Sequence, residues 1–317
     1  GAVEKGCQMV ALPESRVRGS RPARGPVRRP RRPSAREAGT ALLFVLPFLL
    51  LFALFRFGPA IAGVFLGFTD YTIGGDTSWT GLENFRRLVD DPTFWTALRV
   101  TVVFTALSVP LSMLASLGMA LLTRRAFRGA KLFRSIFFLP VVTSLVLAGV
   151  VFTWVFADGG PWSRAMGALG LPAGNWLADS ALVVPALVLV SVWSRFGYGM
   201  LILLARMQDI PAELEEAALT DGASAWQRFR YVTLPQLRPA LFFVAIIETT
   251  VSFQVFDMIY VMTGGGPVRS SYSLVYLLYD QGFKYFDLGY ASAVGVALFV
   301  MTIVVALIQR LTLGRDK

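Results

Sequence analysis

Six apolar windows, at about 41–68, 96–122, 132–156, 181–205, 239–262 and 288–311, take up most of this 317-residue chain. A helix needs about 20 predominantly apolar residues to cross a bilayer, and every window meets that length. They predict an all-α membrane protein with six transmembrane helices. The composition agrees, with 55% hydrophobic and only 16% charged residues, against about 25% charged in soluble domains. The first window is too long, and follows too large a basic tail, for a secretory signal peptide.

Six crossings put both termini on one side. Of the 30 Lys and Arg, 22 fall in the tail 1–40, in loops 123–134 and 206–238 and in 309–317, while 5 fall in the alternate loops 69–95, 157–180 and 263–287. Basic residues concentrate on the cytoplasmic side of a membrane protein. Both termini and loop 206–238 are therefore predicted to be cytoplasmic, with 313–317 as a short cytoplasmic end. The tail holds ten Lys or Arg and five Pro with almost no large apolar residue, so it reads as disordered. Its charge suits a topogenic signal; a nucleic-acid arm and an anionic-lipid anchor are the alternatives. Pro47, Pro110, Pro140 and Pro185 lie inside windows, which points to kinked helices packed against protein neighbours.

Autonomous catalysis has little to work with. The chain has no His and a single Cys, Cys7 in the tail, so it offers no imidazole base and no His or Cys-cluster metal site. No G-x-x-x-x-G-K-[ST] run occurs, so the chain has no phosphate-binding loop for ATP.

Loop 206–238 is the most informative stretch. Asp209 with Pro211 marks a helix start and Gly222 a stop, with Leu214, Ala217 and Ala218 on one face and Glu213 and Glu216 beside it. A short amphipathic stretch with Trp226 and Phe229 follows, and Pro235 and Pro239 lead into the fifth window. Two short helices meeting at a glycine would form either a docking knob or an ordinary interhelical loop. The spacing is more specific. Glu216-Ala217-Ala218, three residues, Gly222, nine residues, then Val232-Thr233-Leu234-Pro235 resembles the EAA loop of bacterial ABC importer permeases, with Val232 where the family pattern has Ile. Ile210-Pro211, Asp221-Gly222-Ala223 and Trp226-Gln227-Arg228-Phe229 narrow the resemblance to the sugar-type, maltose/glycerol 3-phosphate-like subgroup. Gly81–Phe85, Asp91–Trp95, Phe256-Asp257 and Thr263–Pro267 agree with it.

The resemblance covers about 41–312 and implies a type I importer permease fold in a bacterial cell membrane. It implies that Glu216, Ala217, Ala218, Asp221, Gly222, Leu234 and Pro235 form a coupling loop that seats in a separate ATPase subunit. ATP and Mg would then be bound by that partner and no cofactor by this chain. The implied partners are a second, related permease subunit, an ATPase dimer and an extracytoplasmic solute-binding protein, all working at a lipid bilayer and without nucleic acid. The solute would be a carbohydrate or a related polyol-phosphate. Two other readings stay open: an ion-coupled secondary transporter using Glu248 and Asp257 as a proton relay, and a membrane-anchored nucleic-acid or lipid-binding protein acting through the tail.

Charges at membrane depth are costly and are functional candidates by default. Arg56 and Arg99 can reach an interface by snorkelling, and Asp257 falls near the outer end of the fifth window, where it would cap or pair near the Gly264–Pro267 turn. Arg195 lies ~15 Å and Glu248 ~14 Å along their helices from the loop 206–238 end, at 1.5 Å per residue. The two either pair with each other or line a solute path. A sugar needs an aromatic face and several hydrogen-bonding partners. Trp193, Arg195 and Tyr198 of the fourth window and Glu248, Ser252 and Gln254 of the fifth supply them, with Gly197 and Gly199 leaving room. The family resemblance aligns these stretches with solute-contacting segments of maltose-type permeases, although Arg195, Glu248 and Ser252 depart from the residue types found there. Trp193 and Tyr198 could equally be bundle packing.

Overall fold

The computed structural model describes residues 35–75, 77–124 and 128–313. The described residues divide into two units that meet between Arg56 and Phe57 in the sequence. In the first, α1 (Ala35–Phe52) leads into a π-helical turn at Ala53–Phe57, and residues 42–56 are exposed on every side. A helix apolar on every side is one whose neighbour is lipid or another protein. The sequence places 35–40 in a disordered tail, but they are helical. Ala35, Arg36, Glu37 and Ala38 are good helix formers and extend the apolar helix backwards. The rest of the tail, 1–34, and the end 314–317 lie outside the described residues.

Among its described residues the second unit is built of helices joined by turns and loops, with only isolated bridges between Thr69 and Trp79 and between Thr72 and Asp287. Its helices are α2 (Gly58–Leu66), α3 (Glu83–Asp90), α4 (Pro92–Thr123), α5 (Ala130–Val142), α6 (Leu145–Phe156), α7 (Pro161–Ala168), α8 (Val183–Gln208), α9 (Ala212–Thr220), α10 (Ala225–Arg228), α11 (Leu234–Phe253), α12 (Asp257–Met262), α13 (Leu274–Tyr279) and α14 (Leu288–Leu313). Among the described residues, five helical stretches are long and apolar enough to cross a membrane: Leu42–Leu66, Pro92–Thr123, Val183–Gln208, Ala225–Phe253 and Leu288–Thr312. Counting α5 and α6 as one broken span makes six.

At the centre α4 packs along α8, with α11 against both and α14 against α11. Close approach is built in by glycine. A Cβ on Gly199 would stand 2.5 Å from Ser116 Oγ of α4, and one on Gly197 would stand 2.4 Å from the Phe137 carbonyl of α5. These glycines therefore serve helix packing, not the solute space the sequence assigns to them. Ser116 donates to the Phe196 carbonyl at 2.9 Å across the same seam. Two apolar clusters result. One joins the first half of α4 to α12, α13 and the starts of α8 and α14, and includes Phe104, Leu187, Ile259, Leu274 and Tyr290. The other joins the far ends of α4 and α8 to the first half of α11 through Ala120, Met200, Leu203, Met207 and Leu237. Between them lies a set of buried polar residues, Ser108, Ser112, Ser191, Ser194, Glu248 and Ser252, interspersed with apolar Val109, Ala245 and Phe253.

Two of the apolar windows are not single helices. The third breaks at Thr143–Ser144, where α5 and α6 meet at 96°. Pro140 removes one helical N–H, the β-branched run Val141-Val142-Thr143 resists a helical turn, and Thr143 turns extended with its hydroxyl donating to the Leu139 carbonyl at 3.0 Å. The fifth window ends its helix at Phe253 and restarts at Asp257. Ser273 donates to the Val255 carbonyl freed by that break at 2.9 Å, as a buried backbone group requires. At its other end this window is longer than the sequence indicates. Pro235 and Pro239 do not punctuate it: α10, a π turn at Phe229–Thr233 and α11 run on as one helical stretch. The π turn closes with the Leu234 N–H on the Phe229 carbonyl, and Pro235 follows in the first turn of α11, where a missing N–H is tolerated. Pro185 sits in the first turn of α8, where its missing N–H costs nothing.

Candidate functional site

A cavity of about 400 Å³ opens in the polar layer, where the two helix breaks face α8. Thr143 and Leu145 come from the first break, Gln254, Val255, Phe256 and Asp257 from the second, and Ser191, Ser194, Arg195 and Tyr198 from α8. Non-helical backbone is tolerated at such depth only where it meets protein or lines a cavity, and both breaks do the latter. Ser252 also lines the wall, and its buried Oγ has no hydrogen-bond partner among the described residues.

Arg195 and Glu248 find each other. Arg195 Nε donates to Glu248 Oε2 at 2.8 Å and Nη2 to Oε1 at 3.5 Å. The Glu248 side chain is only 2% exposed, whereas that of Arg195 is 24% exposed and faces the cavity. Arg195, Tyr198, Ser252 and Gln254 thus gather on one wall. Glu248 stands behind Arg195 without lining the space, and Trp193 turns away to pack edge-on against Phe152 of α6, ring centroids 5.0 Å apart. Asp257 does not cap the Gly264–Pro267 turn. That turn is closed by Thr263 and Ser271, whose hydroxyls are 2.8 Å apart, with Ser271 donating to the Gly266 carbonyl at 2.6 Å. Asp257 instead opens α12 on the cavity wall, because the helix break swings it inward.

The second feature is an elbow outside the bundle. α9 contains no buried residue. Asp221 caps it, its N–H reaching the Ala217 carbonyl at 3.0 Å, and the chain turns at Gly222 in the left-handed region, φ +77°. Ala223 N–H then closes on the Ala218 carbonyl at 2.9 Å, and a Ser224–Gln227 capping box starts the long stretch into α11. Glu216 and Ala217 are exposed, and Ala218 is half-buried. Glu216 makes no ion pair among the described residues. Leu234 and Pro235 form the first turn of α11.

Glu215 is the residue that sequence reasoning missed here. Its carboxylate pairs with Arg124, just past the end of α4, and accepts from the Thr233 hydroxyl at 3.4 Å. The elbow is thereby fastened to the ends of two central helices. The signal was available: Glu215 and Ala218 are three apart and share the face of α9 that is half-buried.

At the opposite end of the bundle, Asp91 starts α4, accepting from Thr93 N–H at 2.7 Å and from the Tyr290 hydroxyl of α14 at 2.7 Å. Burial pushes the Asp91 carboxyl up, but the Tyr290 and Thr93 donors and nearby Arg87 outweigh it and hold it below the usual carboxylate range. Asn84 donates to the Gly67 and Thr69 carbonyls at 3.1 and 2.7 Å, tying α3 to the end of α2.

Residues 40–313, nearly all of the chain outside the tail, match the family described as binding-protein-dependent transport system inner membrane component. The chain belongs to that family. It is a multi-pass membrane protein and a translocation component, not an enzyme. Among curated relatives of this transport family, the lactose transport system permease protein LacF of Rhizobium radiobacter is 34% identical over 84% of this chain and 91% of its own length. The trehalose/maltose transport system permease protein MalF of Thermococcus litoralis is 32% identical over 84% of this chain and 91% of its own. In fold the chain matches a bacterial ABC transporter involved in the import of the acidic polysaccharide alginate, with a TM-score of 0.77 and 21% identity over 89% of this chain and 97% of that one. The family's inner membrane component is therefore present here as the helical importer permease fold.

Proposed function

We propose that this chain forms half of the solute pathway of an ATP-driven carbohydrate importer and couples to a separate ATPase through α9 and the turn at Gly222. The observation that carries the reading is the cavity between two apolar clusters, whose mostly apolar lining carries a polar stripe of Ser191, Ser194, Arg195 and Tyr198 from α8 with Gln254 and Asp257 beside the second helix break. The lactose and trehalose/maltose relatives support a carbohydrate or related polyol-phosphate as solute. In this reading α9 is a lever whose exposed Glu216 and Ala217 meet the ATPase, and its fastening through Glu215 passes motion to α4 and α11 as a rigid body. A second permease subunit completes the pathway. An ATPase dimer binds the ATP and Mg, and a solute-binding protein docks on the opposite face. Both termini and the elbow are cytoplasmic.

Uptake by the assembled importer in cells should stop when ATP is depleted with the proton gradient held, and should survive a protonophore with ATP held. The opposite pattern would indicate an ion-coupled carrier. The geometry already weighs against one, since Glu248 is occupied by Arg195 and is a poor proton relay. Orientation has its own check. In a Cys7→Ser background, cysteines at Thr77, Ala173 and Ser270 should react with an impermeant thiol reagent from outside intact cells, and one at Ser224 should not. Labelling at Ser224 would invert the topology.

A further inference from the structure

The cavity wall of this chain carries two charged side chains, Arg195 and Asp257. Their charges do not cancel against each other. Arg195 is already held by the buried carboxylate of Glu248 at 2.8 Å, so that pair contributes no net charge to the space. Asp257, exposed at the start of α12, has no ion pair among the described residues. The remaining polar wall is neutral: the hydroxyls of Ser191, Ser194, Ser252 and Tyr198 and the amide of Gln254. Ser252 Oγ is buried just behind this wall without a partner among the described residues, and such a group gains from a hydrogen-bonding ligand once a solute displaces what covers it.

We infer that this half of the pathway is built for polyhydroxylated solutes that are neutral or cationic, and that it disfavours anionic ones such as sugar phosphates and uronates. The inference rests on the solute-pathway reading of the cavity and narrows it. Arg195 would invite a phosphate if it stood alone, because a guanidinium matches an anion's paired oxygens. Its pairing with Glu248 removes that invitation. What is left is a carboxylate repelling anions, and hydroxyls and an amide that exchange hydrogen bonds with sugar hydroxyls.

Charged thiol reagents read this field without a known solute. In the assembled importer, with Cys7→Ser as background, Ser252→Cys and Gln254→Cys each place a thiol on the wall. Reaction rates with a cationic and an anionic methanethiosulfonate are compared after normalising each to a free thiol. The cationic reagent should win by about fivefold or more, as expected of one net charge within ~8 Å in a watery cavity. Adding either Asp257→Asn or Glu248→Gln brings the net charge of the wall from one negative to zero and should collapse the preference, and the two together should turn it toward the anionic reagent. Methyl α-maltoside at millimolar concentration should slow labelling, and glycerol 3-phosphate should not. Equal rates, an anionic preference in the parent, or better protection by glycerol 3-phosphate would overturn the inference while leaving the pathway reading in place. Failure of both reagents at both positions would overturn the pathway reading itself.

Discussion

Glu216→Lys is expected to abolish uptake and solute-stimulated ATP hydrolysis while leaving the amount of permease in the membrane unchanged. Glu216 is exposed and makes no ion pair among the described residues, so reversing its charge costs the fold of this chain almost nothing. Any large loss must arise where α9 meets something else. Gly222 supplies the companion test, because its role is conformational. At φ +77° a non-glycine residue is strained, yet a Cβ there would meet nothing within 4 Å. Left-handed backbone costs an L-residue about 1–2 kcal/mol, too little to unfold the bundle. α9 has no buried residue and is held through the partly exposed Glu215 contacts to Arg124 and Thr233, so the chain relieves the strain by re-aiming it at the expense of those contacts. Gly222→Val should therefore lower uptake about five- to thirtyfold, the population change that such a cost implies. Gly222→Asn, which tolerates the left-handed region, should keep most of it. Membrane insertion on immunoblots and uptake in the same cells decide the matter. If Lys at 216 and Val at 222 both transport within about twofold of the parent, α9 is not a lever. If Asn at 222 fails as badly as Val, the turn geometry is not the reason.

The parts of this molecule that hydrophobicity and spacing dictate were readable directly. Long apolar windows imply helices in a bilayer whatever their packing, and the start signal at Asp209 with Pro211 and the stop at Gly222 bracket α9, because both act on the local backbone. The breaks were not readable, because a Pro or a β-branched run ends a helix only if the surroundings satisfy the freed groups. For Val255 that is done by Ser273, a residue 18 positions away. With the break at Gln254–Phe256 unseen, Asp257 was counted up a straight helix and assigned to the wrong turn. The α8 wall could have been found by period alone. Ser191, Ser194, Arg195 and Tyr198 are spaced i, i+3, i+4, i+7 and share a face, from which Trp193 is turned away. Sugar-binding chemistry favoured the tryptophan; helix geometry placed it against Phe152. Glu215 was passed over because its neighbour Glu216 carried the motif, although one step along a helix is a turn of about 100° and puts the two carboxylates on different faces.

Arg195→Met should destabilise the permease far more than Glu248→Gln, and the double variant should recover most of the loss. Removing one member of a buried ion pair costs about 3–5 kcal/mol because the survivor is left uncompensated. The two survivors differ here. Without Arg195, the Glu248 carboxylate, only 2% exposed in the pair, is left between α8 and α11 with its partner gone. Without Glu248, the guanidinium is 24% exposed and faces a cavity of about 400 Å³, where water can solvate it. The single variants should therefore differ in thermal stability in detergent, with Arg195→Met the lower and the poorer in membrane yield. Replacing a buried pair by apolar residues of similar volume is often close to neutral, so Arg195→Met with Glu248→Leu should return to near the parent's melting point. Uptake separates structure from recognition in that double variant. Its cavity wall lacks the guanidinium donors, so the half-saturation for solute should rise even though the permease assembles. Full recovery of both stability and half-saturation would mean that Arg195 only ties α8 to α11. Equal melting of the two single variants would mean that the burial asymmetry does not govern the pair.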